Sequence, residues 1–441
     1  MLRFGTDGVR GVALTELTTE YVACLGAAAA TVIDGATWLI ARDTRESGAA
    51  LEVALIAGLW SQGLAAASFG VLPTPALAFL SEQRGLPAAM ITASHNPYAD
   101  NGVKIFAAGG VKLRDETESR IEARLETLVA AHFTAPPPPS IHVLDAAITQ
   151  YVDHIVGLFP DGALNGLRVV LDCANGAMSF AAPVVVRALG AEVIVIHAEP
   201  NGTNINAECG ATYPGSLALA VVDKQADVGL AFDGDGDRVI AVDNHGQIVD
   251  GDRLIALGAL QLKADGELTG NAVVVTVMSN LGFHRAMQDA GIAVVATAVG
   301  DRYVLAALED GDYAIGGEQS GHVIYRHHAT TGDGLLAGVR LLRDVVTSGR
   351  SLAEMSTEVM TTFPQVLINV RVDKGHPDIV QELAAEIAAA ELALGGNGRV
   401  LVRASGTEPL VRVMVEATTD AVASGAAERL AALIRARFSR A

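Results

Sequence analysis

The sequence is poor in cysteine, in aromatic residues and in positive charge. Its 441 residues include three cysteines, at Cys24, Cys173 and Cys209, without C-x-x-C spacing. This count indicates neither a disulfide framework nor a zinc site, and a reducing cytoplasm is expected. The sequence has 50 acidic residues and 31 lysines and arginines, which gives a net charge of -19. Nucleic acids and anionic membranes bind basic faces, so we expect neither as a partner.

A membrane-spanning run is also missing. Residues 53–81 carry no charge, but polar residues, glycines and prolines interrupt their apolar stretch. We therefore expect buried helix, strand and loop there. Arg3 and Asp7 stand where a secretory signal would have an apolar run, so we expect no export signal and a cytoplasmic location.

Half of the residues are apolar and only 5% are aromatic. A chain of this length is expected to form three or four units of about 100 to 150 residues each. The abundance of Ala, Val and Leu suits helices packed on parallel strands.

Three segments repeat one order: an apolar strand, a polar loop, an amphipathic helix, a glycine and a second apolar strand. Their strand pairs are 38–41 with 65–69, 169–172 with 193–196, and 273–276 with 293–295. This order predicts three βαβ units with parallel strands. The proline run 136–139 indicates a linker. From about Pro364 onwards, a strand, a helix near Pro377, two strands and a last helix predict a smaller α+β domain.

Ser94 lies in the segment TASHNP, directly after an apolar strand. Pro97 prevents a helix from continuing, so we expect Ser94 to be exposed on a tight loop. Loop serines more often satisfy backbone groups, and no third member of a hydrolase triad is recognisable. Acceptance of a phosphoryl group fits Ser94 better.

Asp233, Asp235 and Asp237 alternate with glycines just beyond an apolar strand. In an extended backbone these side chains would point the same way, and the glycines would allow the chain to curve around an ion. Three neighbouring carboxylates repel one another unless a cation lies among them. Hard oxygen ligands select Mg²⁺, Mn²⁺ or Ca²⁺. An EF-hand loop would have glycine and glutamate where this sequence has Arg238 and Asn244.

Glu318, Ser320 and His322 are spaced two apart in the glycine-rich segment 316–322. Extended geometry would point all three into one cavity, where they suit sugar hydroxyls. Taken alone, the pattern is equally typical of a polar turn.

A second glycine-containing loop, at 403–409, includes Ser405, Gly406 and Thr407 and is flanked by arginines. Hydroxyls and exposed amides beside Arg403 and Arg412 would form a cradle for a phosphate dianion, with an ordinary hairpin as the alternative. The spacing of a P-loop is absent.

The N-terminal segment FGTDGVRG, residues 4–11, contains glycines before any predicted helix. It indicates either an ordered loop that meets an anion through Arg10 or a flexible terminus.

Taken together, these five motifs resemble those of the α-D-phosphohexomutase family, in the same order over nearly the whole chain. In that family the TASHNP motif carries a phosphoserine, the DGDGD loop binds Mg²⁺, the GExSGH loop contacts the sugar and the last domain binds the substrate phosphate. Gln319 and the RFGTDGVRG segment resemble the glucosamine branch of the family.

The resemblance implies an α/β fold of three similar three-layer domains with mixed sheets, plus a smaller C-terminal α+β domain, around a central cleft. The implied boundaries are 1–152 with the phosphoserine loop, 153–253 with the metal loop, 254–366 with the sugar loop and 367–441 with the phosphate loop. The oligomeric state is left open, a homodimer included.

The resemblance to this family also implies a mechanism. Phosphoserine 94 would donate its phosphoryl group to a substrate oxygen, giving glucosamine 1,6-bisphosphate, and would then recover the other phosphate. This would interconvert glucosamine 6-phosphate and glucosamine 1-phosphate for UDP-N-acetylglucosamine and cell-wall precursor synthesis. One Mg²⁺ per chain would be held by the three aspartates and would touch a Ser94 oxygen.

We assign further roles from the matching motif positions and from the chemistry that the transfer requires. The catalytic set comprises Ser94, His95, Lys104, Arg10 and His322, with the proton carrier open among Lys104, His95 and His322. The substrate-binding set comprises Glu318, Ser320, Arg238, Arg403, Ser405, Gly406, Thr407 and Arg412.

The sequence is also compatible with three alternatives. One is a phosphomannomutase or phosphoglucomutase. Another is a Mg²⁺-dependent sugar phosphatase that uses an aspartate as its nucleophile. The last is a calcium- or sugar-phosphate-binding protein without phosphoryl transfer.

Overall fold

The computed structural model describes residues 2–5, 7–138, 141, 143–144, 147–373, 378–404 and 409–438. Within those ranges, no helix has both the length and the apolar character needed to cross a membrane. The chain forms two compact units. The first comprises Met1–Met278 and Ile292–Val359, and the second comprises Ser279–Gly291 and Met360–Ala441. The four sequence-based domain boundaries stay predictions.

The first sheet contains the two strands that the Ser94 loop connects. Its strands are β1 (Phe4–Gly5), β2 (Gly8–Val12), β3 (Thr37–Arg42), β4 (Ala65–Val71), β5 (Ala88–Ile91), β6 (Asp100–Ala107) and β7 (Val111–Lys112). They are ordered β1-β2-β6-β5-β3-β4, with β7 on β6. The helices of this segment are α1 (Thr19–Ala30), α2 (Gly48–Ser61), α3 (Thr74–Arg84) and α4 (Asp115–Ala130). Apolar side chains of α1, α2 and α4 share one core with the sheet.

The second sheet carries the aspartate loop. Its elements are α5 (Ala147–Gly157), β8 (Arg168–Asp172), α6 (Met178–Ala188), β9 (Glu192–Ile196), α7 (Gly215–Asp223), β10 (Val228–Phe232), β11 (Val239–Asp243) and β12 (Ile248–Val249). The strand order is β12-β11-β10-β8-β9. All residues of β10 and β11 are buried, which anchors both ends of the loop between these strands.

The third sheet has the order β14-β13-β15-β16. The elements of this part of the chain are α8 (Gly251–Asp265), a 3₁₀ helix (Thr269–Asn271), β13 (Ala272–Thr276), α9 (Leu281–Asp289), β14 (Ala293–Thr297), α10 (Asp301–Gly311), β15 (Ile315–Gly317), β16 (Val323–Tyr325), α11 (Gly334–Ser348) and α12 (Leu352–Val359). The connecting helix α9 belongs to the second compact unit.

The second unit also contains an antiparallel sheet of order β17-β19-β18. Its elements are β17 (Gln365–Arg371), α13 (Ile379–Glu382), α14 (Ala384–Ala393), β18 (Arg399–Ala404), β19 (Leu410–Glu416) and α15 (Asp420–Phe438). Pro377, where a helix start was expected, lies outside the described residues.

The three predicted βαβ units are confirmed, since β3 pairs in parallel with β4, β8 with β9 and β13 with β14. Each of these sheets also contains antiparallel pairs, so all three are mixed. The Ser94, aspartate and Glu318 loops follow β5, β10 and β15. Each of these strands runs parallel to a neighbouring strand of its own sheet, so each loop leaves from the carboxyl end of parallel strands. This is where α/β proteins usually bind ligands.

Candidate active site

Ser94 occupies a strained position in the loop between β5 and β6. Its φ of 52° lies in the left-handed region that residues other than glycine rarely adopt. Its amide donates to Thr92 Oγ1 at 2.9 Å. Such backbone geometry persists only where the surroundings hold it, and it is frequent at active sites.

The expectation of an exposed Ser94 is wrong, because the side chain is only 1% exposed. The aspartate loop covers it. Ser94 Oγ donates to Asp233 Oδ2 at 2.6 Å, and a β-carbon at Gly234 would lie only 2.7 Å from the Ser94 carbonyl oxygen. The glycine therefore permits the two loops to touch.

A buried arginine, Arg45, stabilises the backbone of the Ser94 loop. Arg45 Nε donates to Asp43 Oδ2 at 2.9 Å, and both side chains are inaccessible to solvent. The guanidinium also donates to four backbone carbonyls of the loop, those of Ser94, Asn96, Pro97 and Asp100. Asn206 Nδ2 adds a second donor to the Ser94 carbonyl at 2.8 Å. The loop conformation is thus fixed by charge-assisted hydrogen bonds.

The three predicted aspartates converge. Asp233, Asp235 and Asp237 each place a carboxylate oxygen within 4.8 Å of the others. They converge because the loop turns, with the Gly236 amide bonded to the Asp233 carbonyl at 3.1 Å, and not because the chain stays extended. Burial raises the pKa of Asp233 well above its ordinary value, and the neighbouring carboxylates add to this. The cluster is therefore short of positive charge.

Lys104, on β6, supplies one positive charge to this cluster. Its ammonium lies 2.8 Å from carboxylate oxygens of Asp7, Asp235 and Asp237. Burial alone would lower the pKa of Lys104, but the three carboxylates outweigh it and raise the pKa well above its ordinary value. A lysine held in this way neutralises charge and is poorly suited to accept a proton.

The cluster retains oxygens that could bind a metal. Among the described residues, Asp235 Oδ1 and Asp237 Oδ1 are buried and have no hydrogen-bond donor. Unpaired carboxylate oxygens at close range are the donor set of a hard divalent cation, so the residues fit a metal site.

A cavity of about 390 Å³ opens beside Ser94 within the first compact unit. Its charged lining residues are Arg3, Asp7, Arg10, His95, Arg238, Asp301 and Glu318. His95 Nδ1 lies 3.3 Å from Ser94 Oγ. Burial, Arg238 and Arg10 lower the pKa of His95 to about 4, which favours a neutral ring. Arg10 donates to Asp7 Oδ2 at 2.7 Å.

The expectation that Glu318, Ser320 and His322 point into one cavity is wrong. The chain turns at this point, because the Gly321 amide bonds to the Glu318 carbonyl and Gly321 has a φ of 91°. Glu318 lines the cavity and Ser320 is exposed. His322 is buried, with Nδ1 3.6 Å from Asp237 Oδ1, and its Nε2 accepts the Gly332 amide at 3.1 Å.

Arg403 and Arg412 face each other in register across the β18–β19 pair of the second unit. Burial and the neighbouring charge of Arg412 together lower the pKa of Arg403. Two adjacent guanidinium groups of this kind suit an anion. Ser405, Gly406 and Thr407 lie outside the described residues, so their predicted roles stay predictions.

Several residues at the site escaped sequence reasoning: Asp7, Arg45, Lys112 and Asp301. Asp7 lies in the same N-terminal motif as Arg10, and Asp301 follows a strand as the other functional loops do. Arg45 and Lys112 carry no local signal, because their partners are distant in sequence.

Comparison with known sequences decides the family. Profiles of the phosphoglucomutase/phosphomannomutase family match along the chain: α/β/α domain I at residues 1–131, α/β/α domain II at 149–246, α/β/α domain III at 250–363 and the C-terminal domain at 367–433. The chain belongs to this family.

Curated members of the family are similar to it over nearly their whole length. A phosphoglucosamine mutase of Frankia alni is 51% identical, and 98% of each chain is covered. A phosphoglucosamine mutase of Rhodococcus jostii is 50% identical with the same coverage.

Solved structures show the same fold. A structure of a putative phosphomannomutase from Thermus thermophilus has a TM-score of 0.80 at 26% identity, covering 98% of this chain and 99% of that one. A structure of an N-acetylphosphoglucosamine mutase from Aspergillus fumigatus, in complex with GlcNAc-6P and magnesium, has a TM-score of 0.71 at 18% identity and covers 99% and 96%.

Proposed function

We propose that this mutase interconverts glucosamine 6-phosphate and glucosamine 1-phosphate through phosphoserine 94. The observation that carries the proposal is the contact of Ser94 Oγ with Asp233 at the edge of the three-carboxylate cluster. The relatives at about half identity, named as phosphoglucosamine mutases, support the choice of sugar.

The reaction conserves phosphate over a turnover. The phosphoryl group leaves Ser94 Oγ for the free hydroxyl of the sugar monophosphate, and the hydroxyl gives up its proton. The resulting glucosamine 1,6-bisphosphate reorients in the site and returns its other phosphoryl group to Ser94. No inorganic phosphate is released, in contrast to a phosphatase.

The metal in this proposal is Mg²⁺, held by Asp233, Asp235 and Asp237 together with an oxygen on Ser94. When bound, it would withdraw developing negative charge from the transferring group. The unpaired oxygens of Asp235 and Asp237 support this assignment. Lys104 complements the ion by neutralising the remaining carboxylate charge.

His95 is proposed as the group that takes the hydroxyl proton. It lines the cavity and lies 3.3 Å from Ser94 Oγ, whereas Lys104 is tied to three carboxylates. Arg10 and Arg238 also line the cavity and would hold a phosphate. Arg403 and Arg412, with the loop 405–407, are proposed to bind the second phosphate.

Metal removal tests the cluster. We expect chelation to abolish mutase activity and Mg²⁺ to restore it, because a divalent cation at the three carboxylates would stabilise the negative charge that develops as the phosphoryl group leaves Ser94. Activity that survives exhaustive chelation would remove Mg²⁺ from the account.

Comparison of three sugars tests the substrate. With glucosamine 6-phosphate, glucose 6-phosphate and mannose 6-phosphate in the same assay, we expect the highest kcat/KM for the amino sugar. A higher kcat/KM for either neutral sugar would overturn the assignment and favour a phosphoglucomutase or phosphomannomutase.

A further inference from the structure

The cavity beside Ser94 contains two carboxylates besides the Asp7 group already bound by arginine and lysine. These are Glu318 and Asp301, which line the cavity together with the positively charged Arg10 and Arg238. Glu318 Oε1 accepts the Gly300 amide at 3.1 Å. Because Gly300 directly precedes Asp301, this bond fixes the start of α10 and with it the position of the Asp301 side chain.

Asp301 is only partly satisfied. Its side chain is 10% exposed, and Oδ2 pairs with the Lys112 ammonium. Its other oxygen, Oδ1, is buried and has no hydrogen-bond donor among the described residues. A buried carboxylate oxygen without a donor costs free energy, so a ligand that provides one gains affinity.

The neighbouring cations do not fill this gap. Lys112 is shared with Asp7 Oδ1, at 2.8 Å. Arg302 turns instead to Asp115, Glu118 and the Gly5 carbonyl. His322 Nε2 lies 3.8 Å from the other oxygen, Asp301 Oδ2, and accepts the Gly332 amide.

We propose that Asp301 binds the ammonium group of an amino-sugar phosphate and so distinguishes it from sugars with a hydroxyl at the same carbon. The inference rests on the proposed function and names the residue that sets its specificity. An ammonium supplies both a donor and the missing positive charge, whereas a hydroxyl supplies a donor alone. A hydrogen bond from a charged donor to a carboxylate is stronger than one from a neutral hydroxyl, so Asp301 would favour the amino sugar.

The experiment measures kcat/KM for glucosamine 6-phosphate and for glucose 6-phosphate in wild-type protein and in Asp301→Asn. Asparagine keeps the size of the side chain and removes its charge. We expect the amino-sugar preference to fall by about 10- to 100-fold, mainly through loss of activity on the amino sugar.

Lys112→Gln is the matched control, because it breaks the same ion pair and leaves the Asp301 carboxylate in place. We expect this variant to change both sugars in parallel and to keep their ratio within about twofold. If Asp301→Asn does not fold, Asp301→Ser is judged by the same ratio.

Two outcomes are distinct. An unchanged ratio in the Asp301 variants, with both sugars reduced alike, would show that Asp301 only holds Lys112 and would overturn the inference. A wild-type preference for glucose 6-phosphate would instead contradict the proposed function itself, before any variant is compared.

Discussion

At the scale of single residues, the site depends on a serine held in an unfavourable backbone conformation. The φ of 52° at Ser94 is maintained by donors that converge on the backbone of its loop. Arg45 provides most of these donors, and its own charge is balanced by the buried Asp43. Arg45 touches neither the cavity nor the aspartate cluster, so it acts as a positioning residue.

Replacement of Arg45 by methionine tests this role. We expect kcat to fall by about 100-fold with a smaller change in KM, because a displacement of about 1 Å at a reacting atom has such an effect. The free energy of unfolding should fall by about 3–5 kcal/mol, since Asp43 would be left buried without its partner. Steady-state kinetics and chemical denaturation measure the two effects.

Arg42→Met provides the control for Arg45. Arg42 pairs with Glu52, is partly exposed and makes no bond to the Ser94 loop. It should keep wild-type kcat, and Arg45→Lys should recover part of the lost kcat because it restores the charge. Equal kcat in Arg45→Met and wild type would refute the positioning role.

At the scale of elements, the Ser94, aspartate and Glu318 loops each leave the carboxyl end of a buried strand, and the first two meet by close backbone contact. Sequence reasoning finds the strands and the loops, because apolar runs and glycines are local signals. It cannot find which loops touch. The contact of Gly234 with Ser94 and the ion pairs of Lys104 with Asp235 and Asp237 join residues more than 100 positions apart.

Gly234→Ala tests the contact between the two loops. The added β-carbon would lie 2.7 Å from both the Ser94 carbonyl oxygen and Ile205 Cδ1, so the loops must separate. We expect kcat to fall by about 10- to 100-fold with the fold retained. Gly215→Ala is the control, because a β-carbon there meets nothing within 4 Å. Wild-type kcat in Gly234→Ala would mean that the loop contact is dispensable.

The N-terminus of helix α11 is expected to make the stability of the protein depend on pH. Its N-cap, Asp333, accepts the Leu336 amide and the Tyr151 hydroxyl. Burial raises the pKa of Asp333 to about 6, although these donors oppose the rise. The folded protein therefore binds this proton more tightly than the unfolded chain, and the stabilisation from Asp333 is lost as pH rises from about 4 through 6.

Asp333→Asn removes this titration and preserves a good N-cap. We expect the thermal midpoint of the variant, relative to wild type, to rise between pH 4 and pH 6.5. Tyr151→Phe should shift the wild-type dependence to higher pH, because it removes a donor to the carboxylate. A constant difference between Asp333→Asn and wild type across this range would contradict the assignment.

At the scale of the whole molecule, the repeated βαβ pattern and the order of five motifs are enough to predict the fold class and the family. The mixed sheets came from the family resemblance, since strand direction has no local signature in short apolar runs. The side-chain directions in the Glu318 loop were missed, because one turn at Gly321 interrupts the alternation of an extended chain. The burial of Ser94 was missed because a distant loop covers it.

The most direct test of the account follows one phosphoryl group. Protein carrying an isotopically labelled phosphoryl group on Ser94 is mixed with one equivalent of glucosamine 6-phosphate, and the label is located by mass spectrometry. We predict that the label leaves Ser94 and appears in glucosamine 1,6-bisphosphate and in the sugar monophosphates. Label that stays on the protein, or that appears only as inorganic phosphate, would contradict the proposed mutase mechanism.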